Sequence, residues 1–464
     1  MKRNIFFFYF LLLNFDFYGQ TVTQKLQKAF TAFEKDSQLK YAISSLYVID
    51  AATGQVVFDK NSRVGLAPAS TQKIITSVTA FELLGKDYRY KTELGFKEEM
   101  PGQNDIFIKG YGDPTFGSNR FSITNTESIL SSFYKELTEA GYKGSFRNLV
   151  IDNLSFETKN IPDGWVWEDV GNYYGAGAGG LNWRENQYEL TLKSSDKIGG
   201  PISFVSFNGS NKFNGTFIIE AKAAAKGSGD NAYIYFPIGN TDYIVRGTIP
   251  TNENNFTIAG AVNDAASYFA NDFGTFIYKN QKNTFGNSTL AYSLKQFPES
   301  VKTIYTHYSP TLDSIIYWLN KKSINLYAEA LLKTLAYEKK GFGSTDSGVV
   351  VVKNFWKQNG MDEDELNIVD GSGLSPLNRV TTHAQVEILK YAKKKEWFPY
   401  FQPSLPEYNG MVMKSGTISG VKGFCGYHNA KNGKEYIFSF LVNNYNGLPA
   451  ALVKKMYRVL DILK

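Results

Sequence analysis

Ser70-Thr71-Gln72-Lys73, Ser323-Ile324-Asn325 and Lys414-Ser415-Gly416 stand in that order along the chain. Between them they supply a hydroxyl nucleophile, two amines able to carry a proton, and a strand segment able to align an acyl substrate. A serine and a lysine three residues apart in one helical turn share a face. A helix N-terminus adds free backbone N–H groups and the positive end of a dipole. Burial would depress the lysine pKa until it can take the serine proton. Alone, the S-x-x-K pattern decides nothing: it occurs five times, starting at Ser37, Ser70, Ser132, Ser194 and Ser419. S-x-N occurs twice, at Ser206 and Ser323, and K-[ST]-G once, at Lys414. Order and placement single out the set beginning at Ser70.

The elements that must position these strings can be read from periodicity. Leu26, Phe30 and Phe33 lie on one stripe of a helix over 22–36. Residues 43–59 alternate around Thr53-Gly54, a hairpin signal. Ile74, Ile75, Val78, Phe81 and Leu84 keep helical spacing behind Pro68, and Gly85 closes that helix, so Ser70 and Lys73 fall in its first turn. From 87 to 300 short β-branched and aromatic runs alternate with Gly, Asn and Asp, and only 128–141 reads as helix. Ser206-Phe207-Asn208 reads there as part of a loop. Helical spacing returns at 312–319 and 325–337, with Ser323 in the break between them. Strands follow at 411–418, 423–428 and 436–443 around turns at Ser419-Gly420 and Asn432-Gly433, and 449–463 is a closing amphipathic helix. Gly416 lies on the strand with Lys414, where it would let a substrate backbone approach closely. The pattern predicts an α+β fold: an antiparallel sheet flanked by helices and built from both ends of the chain (20–86 and 301–464). Residues 87–300 would be a β-rich insertion of one or two small domains.

Composition narrows the function. Of 464 residues, 43% are hydrophobic and 20% charged, enough for two or three cores and too apolar for wholesale disorder. The formal charge of +6 is spread without a basic block, which excludes nucleic acid as the expected partner. Cys425 is the only cysteine, so no intramolecular disulfide forms, and its apolar strand makes it a small buried hydrophobe. His307, His383 and His428 are scattered, with no H-E-x-x-H, no G-x-S-x-G elbow and no G-K-[ST] phosphate loop. Neither a metal nor an organic cofactor is implied. Lys2 and Arg3 precede an apolar run from Ile5 to Leu13 that is too short to span a bilayer, so residues 1–19 read as a cleavable signal peptide. The chain is expected in the periplasm, or otherwise exported, without a transmembrane anchor after cleavage. No cysteine marks a lipoprotein anchor.

The chain resembles the low-molecular-mass class C (type 4) penicillin-binding proteins, the D-alanyl-D-alanine carboxypeptidases and endopeptidases. The resemblance runs through Pro68 to Lys73, Gly112-Asp113-Pro114-Thr115 and Pro162 to Asp169 with Trp165 and Trp167. It continues through Tyr173-Tyr174-Gly175-Ala176, Lys322 to Asn325, Asp370 to Ser375, and Lys414 to Thr417. The long stretch between Ser70 and Ser323 matches that family's insertion, which class A β-lactamases lack. Ser415 departs from the family's usual threonine but keeps the hydroxyl.

The resemblance implies a β-lactamase/transpeptidase-like catalytic domain and an acyl-enzyme on Ser70, with peptidoglycan stem peptides as substrates and β-lactams as inhibitors. Lys73 would be the general base. Ser323, bonded between Lys73 and Lys414, would relay the proton to the leaving amine, and Asn325 would orient Lys73 and hold the substrate amide. The N–H groups of Ser70 and Thr417 would form the oxyanion hole. Lys414, Ser415 and Thr417 would receive the terminal carboxylate, with Gly416 completing the strand. A β-lactamase or esterase on the same fold, or a non-catalytic peptidoglycan-binding protein, is the alternative. The Gly112–Thr115 and Asp370–Ser375 turns are open between turn geometry and a direct part in the chemistry.

Overall fold

The computed structural model describes residues 20–464, apart from 102, 144, 210–214, 240, 263 and 281–290. The expected signal peptide, 1–19, lies outside the described residues. Among those described, no helix is long and apolar enough to cross a membrane.

Strands from both halves of the chain form one six-stranded antiparallel sheet. Its order is Glu407–Tyr408, Met411–Ile418, Val421–Asn429, Glu435–Asn443, Ile43–Asp50 and Val56–Lys60. The Ile43–Asp50 strand pairs along its whole length with Glu435–Asn443, which locks the two ends of the chain together. One face packs on the first and last helices, Val22–Glu34 and Pro449–Leu460, through Leu26, Phe30, Phe440 and Met456. Thr21 and Gln24 close the first helix start reciprocally as a capping box.

The other face carries the helical layer that holds the site. At its centre is Lys73–Leu84, in which every residue from Lys73 to Phe81 is buried. A helix buried all round, rather than on one stripe, marks the middle of a core. Around it pack Leu312–Lys322, Asn325–Lys340, Thr345–Gln358 and Thr382–Lys393.

Residues 91–308 build separate sheets. A five-stranded sheet runs in the order Ala291–Leu294, Ser145–Asp152, Gln103–Gly110, Lys91–Met100 and Thr303–Tyr308, packed by Thr126–Glu139 and Ala265–Asn280. The strand Thr303–Tyr308, which the sequence reading left with the C-terminal half, pairs here with Lys91–Met100. Two smaller sheets share a core of Tyr188, Leu190, Ile234, Val245 and Ile258.

The helix Ala265–Asn280 corrects the expectation of a single helix between 87 and 300. Phe269, Phe273 and Ile277 recur every fourth residue on its buried face. Its aromatics and Gly274 lower its intrinsic helix propensity, and packing overrides that. Ser206-Phe207-Asn208 is not in a loop; it lies on the strand Ile202–Asn208.

Candidate active site

Ser70 lies in a short 3-10 turn, Ala69–Gln72, that leads directly into the helix starting at Lys73. This is tighter than the first α-helical turn the spacing predicts. Ala69 takes the left-handed φ of 47°, a conformation an alanine adopts only where its surroundings impose it. Thr71 Oγ1 donates to Pro68 O (2.7 Å) and accepts from Gln385 Nε2 (2.8 Å), while Gln72 Nε2 donates to Asp370 O (2.5 Å).

Lys73 is fully buried, and its Nζ meets three partners: Ser70 Oγ at 3.0 Å, Asn325 Oδ1 at 2.5 Å and Ser372 O at 2.8 Å. Burial lowers its pKa to about 7, against the opposing attraction of Glu329 and Asp370. A neutral amine has two N–H donors and one lone pair. Asn325 Oδ1 and the Ser372 carbonyl can only accept, so they take the two N–H groups. The lone pair is left for the Ser70 hydroxyl, which is the arrangement of a general base.

Ser323 caps the helix Leu312–Lys322 with φ 58°, and the next helix starts two residues later at Asn325. The reversal turns both side chains to one side. Lys414 Nζ donates to Ser323 Oγ (2.9 Å) and to Ser415 O (2.9 Å). Burial and the nearby Lys73 hold the Lys414 pKa well below the lysine range. Ser323 was expected to bond both lysines. Its hydroxyl meets Lys414, while the three Lys73 contacts go to Ser70, Asn325 and Ser372, which a lysine cannot exceed.

The strand Met411–Ile418 presents an open edge. Its outer neighbour pairs only with Met411 and Val412, and Met413 N donates to Pro406 O beyond them. Backbone direction alternates along a strand, so the N–H groups of Ser415 and Thr417 point to that same outer edge. Thr417 lines the cleft, whereas Ser415 is half-buried behind it. Gly416 departs from its expected role. A Cβ there would meet Pro68 O at 2.6 Å and the nitrogens of Ser70 and Thr71 at 2.9 Å. The missing Cβ therefore lets the strand close on the turn that carries Ser70.

Sequence reasoning missed Glu329, one turn beyond Asn325 and fully buried. Its carboxylate accepts from Gly371 N (2.9 Å) and Ser372 N (2.8 Å), which aims the Ser372 carbonyl at Lys73. Burial and neighbouring Asp370 raise its pKa. The 370–375 loop is thus more than a turn. Asp370 gathers Gln72, Trp165, Gly373, Ser375 and Asn378 around its two oxygens, and the loop delivers a main-chain acceptor to Lys73. A carbonyl has no sequence signature; the acid set between Ala328 and Ala330, one turn beyond Asn325, was the one signal available. Gly112, by contrast, serves turn geometry, with φ 84° against Phe156, and Asp113 accepts from Thr115 within the same turn. The three histidines stay outside the constellation: His307 is buried beside Phe116, His428 is buried, and His383 contacts Glu365. Cys425 is buried, and burial pushes its thiol pKa up.

The cleft has a volume of about 980 Å³. Ser70, Ser323, Asn325 and Thr417 form its floor and one side, and Asp169, Tyr173, Tyr174, Asp230 and Tyr233 wall the other. Asn325 is tied to that wall through its Nδ2, which donates to Tyr174 O (2.7 Å). Farther along the same helix, Lys333 fixes the loops behind the wall by donating to Lys159 O (2.8 Å) and Ala178 O (2.7 Å).

Fold and site together define a hydrolase of the serine-peptidase type in which, among the described residues, the Lys73 amine is the basic group bonded to Ser70. The chain belongs to the D-Ala-D-Ala carboxypeptidase 3 (S13) family, which it matches over residues 26–410. It is 27% identical over 463 residues to a D-alanyl-D-alanine carboxypeptidase of an Actinomadura species, covering 94% of this chain and 83% of that one. It is 24% identical over 420 residues to the D-alanyl-D-alanine carboxypeptidase DacB of Haemophilus influenzae, covering 84% of this chain and 83% of that one. The crystal structure of penicillin binding protein 4 (dacB) from Haemophilus influenzae superposes with a TM-score of 0.76 at 20% identity, over 93% of this chain and 98% of that one.

Proposed function

We propose that this enzyme removes the terminal D-alanine from peptidoglycan stem peptides through an ester on Ser70, and that β-lactams trap the same ester. Ser70 Oγ attacks the carbonyl between the two D-alanines and its proton passes to Lys73. The oxyanion is met by the N–H groups of Ser70 and Thr417. The C–N bond then breaks, and the leaving nitrogen takes a proton from Ser323, whose hydroxyl is restored by the proton that Lys73 took from Ser70, while Lys414 orients Ser323. Asn325 holds Lys73 in place, and the outward N–H and C=O groups of Ser415 and Thr417 align the peptide as an added strand. Lys73 is neutral again after that transfer, and water then hydrolyses the ester. Cross-links that contain D-Ala present the same bond to the same groups, so endopeptidase action follows from one mechanism. On this reading the 87–300 region is an insertion whose modules wall the cleft, and the enzyme works outside the cytoplasm, where peptidoglycan lies.

The single observation that carries the reading is the Lys73 amine 3.0 Å from Ser70 Oγ with its other two contacts on pure acceptors. Its test is a mass measurement after incubation with penicillin. The wild type should gain one penicillin mass and keep it, and Ser70→Ala should gain none. An unmodified wild type or a labelled Ser70→Ala variant refutes the assignment, and rapid loss of the adduct would mark a β-lactamase instead.

A further inference from the structure

The leaving D-alanine carries a carboxylate, and few of the cations that line the cleft or stand directly behind its lining are free to meet it. Lys73 is spent on Ser70, Asn325 and Ser372. Lys414 is buried and spent on Ser323 and the Ser415 carbonyl. Arg120 is bonded to Glu185 through both Nε (2.7 Å) and Nη2 (3.2 Å). Lys322 stands exposed on the rim, where water screens it.

Lys422 differs from all four. It sits directly across from Thr417 in the neighbouring strand, and its Nζ donates to Thr417 Oγ1 at 2.7 Å while lying 4.9 Å from the Phe424 ring centre. Among the described residues no acid forms an ion pair with it. Lys422 is half-buried, and that partial burial lowers its pKa to about 8, the mark of an ammonium short of compensation. Because Thr417 Oγ1 already accepts from Lys422, the hydroxyl proton is free to donate elsewhere, and Thr417 lines the cleft. One hydroxyl donor and the spare N–H groups of one ammonium therefore stand together beside the proposed oxyanion position.

We propose that Lys422, with Thr417, is the counter-ion that receives the terminal carboxylate of the substrate, and so sets the preference for peptides ending in a free D-alanine. This assignment rests on Ser70 as the nucleophile and deepens that reading. It adds a residue outside the three strings.

The test uses two N-acyl-D-alanyl thioesters that differ only in carrying a carboxylate or a carboxamide on the leaving group. Lys422→Met should raise KM for the carboxylate thioester about tenfold, equivalent to about 1.4 kcal/mol, with kcat held, and should leave the carboxamide thioester unaffected. Lys422→Arg should keep the discrimination. Equal effects on both thioesters, no effect on either, or a selective loss in Lys322→Met in place of Lys422→Met overturns the assignment. If the wild type turns over neither thioester and takes no penicillin, the Ser70 reading fails and this one falls with it. If penicillin still labels Ser70 while Lys422→Met shows no selectivity, only the counter-ion assignment fails.

Discussion

Acylation should follow the protonation of Lys73, and the structure sets the size of the effect. An exposed lysine is neutral in only about 3 molecules in 10,000 at pH 7. Burial brings Lys73 to about 7, so half the molecules carry a ready base at neutral pH. Lowering the pH from 7 to 5 should therefore cost about fiftyfold in acylation rate, and raising it above 8 should add less than twofold. The assay is stopped-flow labelling by a fluorescent penicillin between pH 5 and 9.5. A rate that keeps climbing about tenfold per unit beyond pH 8 would show an ordinary lysine and refute the reasoning.

The same shift has a stability counterpart with a definite sign. The folded pKa lies below the unfolded one, so between the two the unfolded chain binds more protons and stability rises with pH. The penalty of housing Lys73 is fully present below pH 7 and gone above about pH 10.5. Its span is roughly 5 kcal/mol at 1.36 kcal/mol per unit. Thermal melts of Lys73→Met against wild type should accordingly show the variant's relative stability falling as pH rises from 7 to 10. A difference independent of pH would contradict the buried, depressed lysine. Glu329 and Asp370 oppose the shift, and Lys414 stands beside the pair as a like charge when protonated.

Removing the Glu329 charge by Glu329→Gln should lower the Lys73 proton affinity further and move the acid limb of acylation to lower pH, read as the midpoint of the same profile. An unmoved midpoint would leave Glu329 with a structural part alone. Gly416→Ala places a methyl against Pro68 O and the nitrogens of Ser70 and Thr71. It should cost about 1–3 kcal/mol of stability and slow penicillin acylation at least about tenfold, whereas Gly433→Ala in an open turn should leave acylation unchanged. Lys333→Met strips the carbonyls of Lys159 and Ala178 of their donor and leaves Glu157, 3.2 Å away, without its cation and with the Thr345 N–H as a remaining donor. It should lower stability by about 3 kcal/mol, seen in denaturant melts, while Ser70 is still labelled at 25 °C.

Much of this enzyme was legible before its structure, and the exceptions share a cause. The ends that form one sheet, the nucleophile helix and the break at Ser323 all follow from local periodicity and turn residues. The helix Ala265–Asn280 was hidden because its buried stripe is aromatic, and Thr345–Gln358 carries four valines in succession, Val349 to Val352. Both look strand-like until tertiary packing decides. Within the site, side chains that act directly were visible as strings. Groups that act through the main chain, such as Ser372, or as buried support, such as Glu329, depend on contacts across more than forty residues. Gly416 was read for its openness to substrate, yet its missing Cβ matters toward Pro68 and Ser70, on the other side of the strand.

The open edge of Met411–Ile418 bears on how such an enzyme diversifies. Main-chain donors and acceptors read any extended peptide alike, since they are indifferent to the side chains it carries. On the proposed function, choice among stem peptides would fall to the opposite wall, where Asp169, Tyr173, Tyr174, Asp230 and Tyr233 come from a different stretch of sequence. Chemistry and alignment would then be held by one sheet with the helices packed on it, and selectivity by another part of the chain. Changes confined to that wall can retune what is accepted while the machinery that penicillin titrates stays as it was.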